Sequence, residues 1–120
     1  MVRAIVVDDD SDTVEVFTDY LKIKGVDVVG TGSDGKQAFE LYQTHKPDIV
    51  ILDMKMPQYD GKYAIDKIKK EDPDAKIIVV TGYHDYNLTE DEVAAVFYKP
   101  YEIDEIIATI KKILEPQQMK

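Results

Sequence analysis

The chain has 120 residues, of which 44% are hydrophobic and 32% are charged, the size and balance of one globular domain. It contains no cysteine, which excludes disulfide scaffolds, thiol nucleophiles and thiolate metal sites. Its formal net charge of −9 argues against nucleic acid or an anionic membrane as a ligand, and it suits a divalent cation or a basic partner.

The length and hydropathy of the chain also indicate its domain organisation and its location in the cell. We expect a single domain over residues 1–120, with a core from about residue 2 to residue 114 and a frayed tail at 115–120. No apolar run approaches the roughly 20 residues that span a bilayer, and the apolar stretch near the N-terminus is too short for a signal peptide. We therefore expect a cytoplasmic protein without membrane insertion.

Five short apolar segments predict β-strands. The first, Arg3–Asp8, is rich in β-branched residues and stops at three consecutive aspartates, the pattern of a buried strand that ends at water. The other four segments are Val26–Gly30, Asp48–Asp53, Lys76–Thr81 and Ala94–Tyr98.

The segments that follow these strands have the spacing of amphipathic helices. Asp34, Asp60 and Thr89 are candidate helix N-caps. Strictly alternating strands and helices predict an α/β fold, a doubly wound parallel sheet of five strands with helices on both faces. The last helix is the clearest, since one stripe of it carries Ile103, Ile106, Ile107, Ile110, Ile113 and Leu114.

The residues that end the strands carry the chemistry. A doubly wound sheet places its site at the carboxyl ends of its strands, and these ends carry Asp8–Asp10, Asp53, Thr81 and Lys99. Carboxylates crowded at one edge are costly to ionise together unless a cation binds, and oxygen ligands favour a hard ion such as Mg²⁺. An aspartate beside Mg²⁺, a hydroxyl and a lysine is a complete set for accepting a phosphoryl group. Asp10 is expected to cap the first helix rather than to bind metal.

These residues resemble those of response-regulator receiver domains of the chemotaxis-regulator type, which act in two-component signalling. The resemblance covers Val2 to about Leu114 and implies the flavodoxin-like strand order 2-1-3-4-5. It rests on Val6-Val7-Asp8-Asp9, on Asp53-Met54-Lys55-Met56-Pro57 followed by Gly61, on Thr81-Gly82, and on Lys99-Pro100.

The resemblance implies roles for the acidic residues. Asp53 is expected to be the phosphoacceptor and also a metal ligand. Asp9 is expected to bind Mg²⁺ directly, and Asp8 to support the metal largely through water. The backbone carbonyl of Lys55 is expected to be a further metal ligand, independent of its side chain.

The resemblance also implies a function. Thr81 is expected to move toward the phosphoryl group and Lys99 to pair with it, with a cis bond before Pro100. The chain would be a stand-alone signalling phosphoacceptor, not an enzyme with turnover. It would take a phosphoryl group from a histidine kinase or histidine phosphotransfer domain and then bind a downstream protein, as a monomer or a phosphorylation-dependent dimer.

Three features depart from the receiver pattern. Most receivers have an aromatic residue three positions before the conserved lysine, where this chain has Val96, so we expect an altered switch. The stretch from Thr81 to Lys99 is shorter than usual by about one helical turn, which predicts a truncated or irregular helix before the fifth strand and an altered recognition face. The long side chains of Lys55 and Tyr83 predict slow loss of phosphate, because they would obstruct an attacking water.

One alternative interpretation is a dinucleotide-binding fold. Gly30-x-Gly32-x-x-Gly35 matches its glycine pattern, after a strand and before a helix. However, the pattern follows the second predicted strand rather than the first. A chain of 120 residues also leaves little room for a substrate domain.

Two further alternatives use the aspartates at the start of the chain. Asp8-x-Asp10 matches the nucleophile motif of haloacid-dehalogenase-type phosphohydrolases, but the chain is short and has no terminal acidic metal motif. An EF-hand that begins at Asp8 fails, since Thr13 takes the position of its glycine and Asp19 that of its glutamate.

Overall fold

A computed structural model describes residues 1–82 and 87–114 of the chain. Five strands form one parallel sheet in the order β2-β1-β3-β4-β5. The strands are β1 (Arg3–Val7), β2 (Asp27–Gly32), β3 (Ile49–Leu52), β4 (Ile77–Thr81) and β5 (Ala95–Tyr98). The described helices are α1 (Ser11–Ile23), α2 (Gly35–His45), α3 (Gly61–Glu71) and α4 (Ile103–Leu114). The predicted α/β fold and the implied strand order are confirmed, whereas the predicted tail at 115–120 lies outside the described residues.

The two faces of the sheet are covered by different helices. On one face, side chains such as Ile5, Val50 and Val79 pack with the buried residues of α2 and α3. On the other face, their neighbours along the strands, such as Val6 and Ile51, pack with α1 and α4. Burial on both faces explains why β1, β3 and β4 are continuous aliphatic runs in the sequence.

The described helices are short and amphipathic. α1 is the longest of them, with 13 residues, and it buries Phe17 and Leu21. α4 buries Ile106, Ile107 and Ile110, the middle of the predicted stripe. None of these helices is long and apolar enough to cross a membrane.

Three of the helices have an aspartate as their N-cap. Asp10, Asp34 and Asp60 accept hydrogen bonds from backbone amides in the first turn of α1, α2 and α3, at 3.2, 2.9 and 3.0 Å. Each cap satisfies an amide that has no partner within the helix. The predicted capping roles of these three residues are confirmed, and the caps fix where each helix begins at the carboxyl edge of the sheet.

The connection from β4 to β5 contains no helix in its described part, Gly82 and 87–94. The Thr89 carbonyl accepts hydrogen bonds from the amides of Glu92 and Val93, at 3.0 and 3.1 Å, which makes a single helical turn. Glu92 Oε1 accepts from the Thr89 amide at 3.1 Å, while Glu92 Oε2 binds Lys62 of α3. The prediction of a truncated or irregular helix is confirmed for these residues.

Candidate functional site

Three aspartates meet at the carboxyl edge of the sheet. Asp8 directly follows β1 and Asp53 directly follows β3, and these two strands are neighbours at the centre of the sheet. One carboxylate oxygen from each of Asp8, Asp9 and Asp53 lies within 4.8 Å of the others. Asp8 and Asp53 are 6% and 7% exposed, so their charges are largely shielded from water, whereas Asp9 is exposed. The structure therefore brings the predicted acidic residues together, with Asp9 on the solvent side.

The surroundings of Asp53 disfavour its charge. Its amide donates to the Val7 carbonyl at 2.9 Å, and its Oδ1 accepts from the Met54 amide at 2.8 Å. Burial and the Asp8 carboxylate raise the pKa of Asp53 to about 6, against the opposing effects of Lys99 and the Met54 amide. A cation between the carboxylates would relieve this repulsion.

Lys99 brings positive charge to the cluster from the edge of the sheet. Its Nζ donates to Asp8 Oδ2 at 3.2 Å and lies 3.9 Å from Asp53 Oδ2. Asp8 is also held by the Asp10 amide, which donates to its Oδ1 at 2.9 Å. Burial lowers the pKa of Lys99, but the charges of Asp53 and Asp8 outweigh this effect and raise it overall. Lys99 is thus bound to Asp8 and lies within ion-pair distance of Asp53.

Thr81 lies where Lys99 enters the site. It is the last residue of β4 and is buried, and its carbonyl accepts a hydrogen bond from the Lys99 amide at 2.9 Å. This bond joins the ends of β4 and β5 beside the acidic cluster. The Lys99–Pro100 bond is cis, as the resemblance implies.

The loop after Asp53 explains the spacing of its motif. Met54 and Met56 are buried, whereas Lys55 between them is exposed. The Gly61 amide donates to the Met54 carbonyl at 2.7 Å. A Cβ on Gly61 would lie 2.6 Å from both the Asp53 carbonyl oxygen and Met54 Sδ, so only glycine allows this approach. Gly61 thus lets α3 begin directly against the backbone of Asp53.

The glycine pattern also has a packing role. Gly30 and Gly32 lie within β2, where a Cβ would come within 3.0 Å of an α2 side chain. The Gly35 amide donates to the Tyr59 carbonyl at 2.6 Å, and a Cβ there would overlap the Asp60 carbonyl oxygen. These glycines therefore permit close contact of α2 with β2 and with the loop after Asp53. The dinucleotide interpretation finds no support in this arrangement.

Asp10 is engaged at the start of α1. Its Oδ2 accepts from Thr13 Oγ1 at 2.8 Å, and this hydrogen bond is the main cause that lowers the pKa of Asp10. Among the described residues, the carboxylate cluster consists of Asp8, Asp9 and Asp53 and does not include Asp10. The geometry therefore does not favour the dehalogenase-type interpretation, in which Asp8-x-Asp10 would be the nucleophile motif.

Val96 occupies the position, three residues before Lys99, at which most receivers have an aromatic residue. It is half-buried and packs with the core on the α2 and α3 face of the sheet. Tyr101 lies on the opposite face, with its ring centre 5.8 Å from that of Phe17. Burial raises the pKa of Tyr101, with Lys99 opposing and Asp8 adding to the effect. The sequence interpretation gave Tyr101 no role, and its proximity to the charges of the site is visible only in three dimensions.

Comparison with known proteins agrees with this arrangement. Residues 4–111 match the family model described as the response regulator receiver domain. The chain is 33% identical over 116 residues to chemotaxis protein CheY of Bacillus subtilis, covering 93% of this chain and 97% of that protein. CheY of Thermotoga maritima is 31% identical over 115 residues, with 92% and 96% covered.

A solved structure is similar over nearly the whole chain. The response regulator protein TrrA of Thermotoga maritima, crystallised in complex with Mg²⁺ and BeF, superposes with a TM-score of 0.86 at 32% identity. The match covers 95% of this chain and 100% of that one. Fold, motif positions and similarity therefore agree, and the chain belongs to the response regulator receiver domain family.

Proposed function

We propose that Asp53 accepts a phosphoryl group from a histidine kinase or a histidine phosphotransfer domain, in a reaction that depends on Mg²⁺. Receiver domains of two-component response regulators are signalling phosphoacceptors, which supports the assignment. The observation that carries it is the convergence of the Asp8, Asp9 and Asp53 carboxylates and the Lys99 ammonium at one edge of the sheet.

The proposed transfer forms one bond and breaks one. A carboxylate oxygen of Asp53 attacks the phosphorus of the donor's phosphohistidine, and a P–O bond forms. The P–N bond breaks and its electron pair stays on the imidazole nitrogen. With a proton already on the other ring nitrogen of the phosphohistidine, the ring departs as neutral imidazole. We assign the attack to Oδ2, since Oδ1 already accepts a hydrogen bond from the Met54 amide at 2.8 Å.

The acidic cluster fits Mg²⁺ as the cation. Its oxygen donors lie within 4.8 Å of one another, the chain has no cysteine, and among the described residues no histidine belongs to the cluster, which suits a hard ion. The carboxylates of Asp8, Asp9 and Asp53 and the backbone carbonyl of Lys55 would hold the ion. Bound there, Mg²⁺ would neutralise charge on the phosphoryl oxygens.

Lys99 and Thr81 are proposed to act on the phosphoryl group. Lys99 Nζ lies 3.9 Å from Asp53 Oδ2, so a small shift away from Asp8 would pair it with a phosphoryl oxygen. Thr81 would move its hydroxyl toward the same group. The phosphorylated domain would then bind a downstream protein, as a monomer or a phosphorylation-dependent dimer, and catalyse only its own phosphorylation and dephosphorylation.

The test is incubation with acetyl phosphate and Mg²⁺, followed by intact mass measurement. We expect one phosphoryl adduct on the wild type, with release of acetate, and none on Asp53→Asn. Asp74→Asn, which changes an exposed aspartate, is the matched control and should still form the adduct. An adduct that persists in Asp53→Asn, or one that never forms on the wild type even with a cognate kinase, would contradict the proposal.

A further inference from the structure

An aromatic and basic surface lies beside the loop that follows Asp53. Lys36 of α2, Tyr59 of the loop, and Tyr63 and Lys67 of α3 form a continuous row, here named the tyrosine–lysine face. Lys36 Nζ lies 5.8 Å from the centre of the Tyr59 ring, and the two tyrosine ring centres are 4.8 Å apart. Lys67 Nζ lies 5.7 Å from the centre of the Tyr63 ring. The lysines are exposed and the tyrosines are half-buried, so all four side chains reach solvent.

This face is positive in an otherwise acidic chain. The tyrosine–lysine face carries the two positive charges of Lys36 and Lys67, whereas the whole chain carries −9. In the part of the chain that the structure describes, neither Lys36 nor Lys67 forms an ion pair. Their ammonium groups lie near tyrosine rings instead, which is a weak interaction at exposed sites. Both charges therefore remain available to a partner.

Backbone contacts hold the tyrosine–lysine face in place. The Tyr59 carbonyl accepts from the Gly35 amide at 2.6 Å, which ties the loop to the start of α2. The Tyr63 amide donates to the Asp60 side chain at 3.0 Å, which ties the loop to the start of α3. A surface that is already ordered loses little conformational freedom when it binds a partner.

We propose that the tyrosine–lysine face is a docking surface for a protein segment that carries carboxylates on both sides of an apolar side chain. The carboxylates would pair with Lys36 and Lys67, and the apolar side chain would pack on Tyr59 and Tyr63. This interaction goes beyond the phosphoacceptor function and does not require a phosphoryl group on Asp53.

Charge favours an acidic protein segment over nucleic acid at this face. A DNA duplex carries one phosphate charge per about 1.7 Å of its axis, so it would bring many charges against a chain of net charge −9. Electrostatic interactions reach only about 8 Å at physiological ionic strength. A short segment with a few carboxylates would therefore interact with the local positive charge, whereas a long polyanion would also meet the acidic surroundings.

The probe for this proposal is a synthetic peptide with two phenylalanines between pairs of glutamates. Titrated into the full-length ¹⁵N-labelled chain, it should shift the amide resonances of Lys36, Tyr59, Tyr63 and Lys67. The double variant Lys36→Gln/Lys67→Gln should weaken binding by about three- to tenfold, the effect of two exposed charge pairs. Added NaCl should weaken binding to the wild type in the same direction.

Matched controls decide the result. Lys22→Gln/Lys112→Gln removes two exposed lysines from other helices and should leave the affinity unchanged. A peptide with lysines in place of the glutamates should not shift the amide resonances of the tyrosine–lysine face. The proposal is overturned by absence of binding at millimolar peptide, by shifts on another surface, or by unchanged affinity of Lys36→Gln/Lys67→Gln. Tighter binding of an oligothymidylate to the same residues would overturn it in favour of nucleic acid.

Discussion

Lys99 is bound to Asp8 rather than to the proposed acceptor: its Nζ lies 3.2 Å from Asp8 Oδ2 and 3.9 Å from Asp53 Oδ2. The ammonium therefore balances two buried carboxylates at once, and its hydrogen bond goes to Asp8. Because Asp8 is also a proposed support for the metal, the lysine and a bound cation would share the charge of the same carboxylate. A substitution of Lys99 should therefore change the pKa of Asp53.

Removal of the Lys99 charge is expected to raise the pKa of Asp53 above its value of about 6, because Lys99 is one of the groups that lower it. The measurement is a ¹³C NMR titration of the Asp53 carboxyl group in Lys99→Met, without divalent cations. Lys24→Met, which removes an exposed lysine near Asp104, should leave the midpoint unchanged. An unchanged or lower midpoint in Lys99→Met would contradict this explanation.

Asp53→Asn is expected to stabilise the metal-free protein at pH 7. The pKa of Asp53 rises from an ordinary value of 3.8 to about 6 on folding, so the native state binds more protons than the unfolded state between these values. Stability due to this group is therefore present below about pH 4 and is lost as pH rises through about 6. The shift corresponds to about 3 kcal/mol, and urea unfolding across this range measures it.

The control for this effect is again Asp74→Asn, at an exposed position, which should change stability by less than about 0.5 kcal/mol at every pH. The difference between Asp53→Asn and wild type should be small at pH 4 and grow toward pH 7. A constant difference across that range would show that the substitution acts through packing rather than through charge.

Mg²⁺ is expected to stabilise the wild type against urea, since a ligand that binds only the folded state raises the unfolding free energy. At a concentration 100 times the dissociation constant the gain would be about 2.7 kcal/mol. Asp9→Asn removes the exposed carboxylate of the cluster and should lose most of this gain. Excess chelator should reverse it in the wild type, and equal stabilisation of Asp9→Asn would argue against the proposed ligand set.

Gly61→Ala is expected to destabilise the protein by about 1–3 kcal/mol, the usual cost of an overpacked site. The added methyl group would lie 2.6 Å from the Asp53 carbonyl oxygen and from Met54 Sδ, so the backbone of the acceptor must shift. We expect slower phosphorylation by acetyl phosphate as a second result. Gly82→Ala is the matched control, because a Cβ there meets no atom of the described residues within 4 Å. Equal urea midpoints for the two variants would contradict this prediction.

Phosphate on Asp53 is expected to decay more slowly in the wild type than in a variant with alanine at both Lys55 and Tyr83. Lys55 is exposed two residues after the acceptor, whereas Tyr83 lies outside the described residues. The measurement is loss of the adduct by intact mass after removal of acetyl phosphate. Gln58→Ala, in the same loop, should decay like the wild type, and equal rates for all three proteins would refute the obstruction hypothesis.

Local patterns predicted most of the fold. Strands buried on both faces appear in the sequence as aliphatic runs, and helix N-caps favour Asp, Asn, Ser or Thr at one position, so both can be predicted without tertiary information. The segment at Thr89 shows the limit. Thr89 is a predicted N-cap and its amide donates to Glu92 Oε1, yet the chain makes only one turn there. The Ala94 amide then donates to the Ile77 carbonyl at 2.7 Å, where the chain enters β5, and no local signal anticipates this pairing.

Two parts of the site were not readable from sequence. The spacing of Gly30, Gly32 and Gly35 indicates that the backbone at these positions is in close contact with another group. It does not show whether that group is a nucleotide or another part of the protein. The Asp8–Lys99 pair joins residues 91 positions apart, so only the fold shows which carboxylate holds the lysine. Both features depend on contacts between elements rather than on the sequence within one element.

The strand order divides the site between parts of unequal stability. Asp8 and Asp53 follow central strands that are buried, whereas Lys99 follows β5, an edge strand whose residues are half-buried or exposed. Edge elements open locally at lower free energy than the centre of a sheet. Transient detachment of β5 from the sheet would therefore move the Lys99 ammonium away from the carboxylates of Asp8 and Asp53, which would stay in place. The acidic cluster of Asp8, Asp9 and Asp53 would then lack the neutralising charge of Lys99, a state that hydrogen exchange at β5 would reveal.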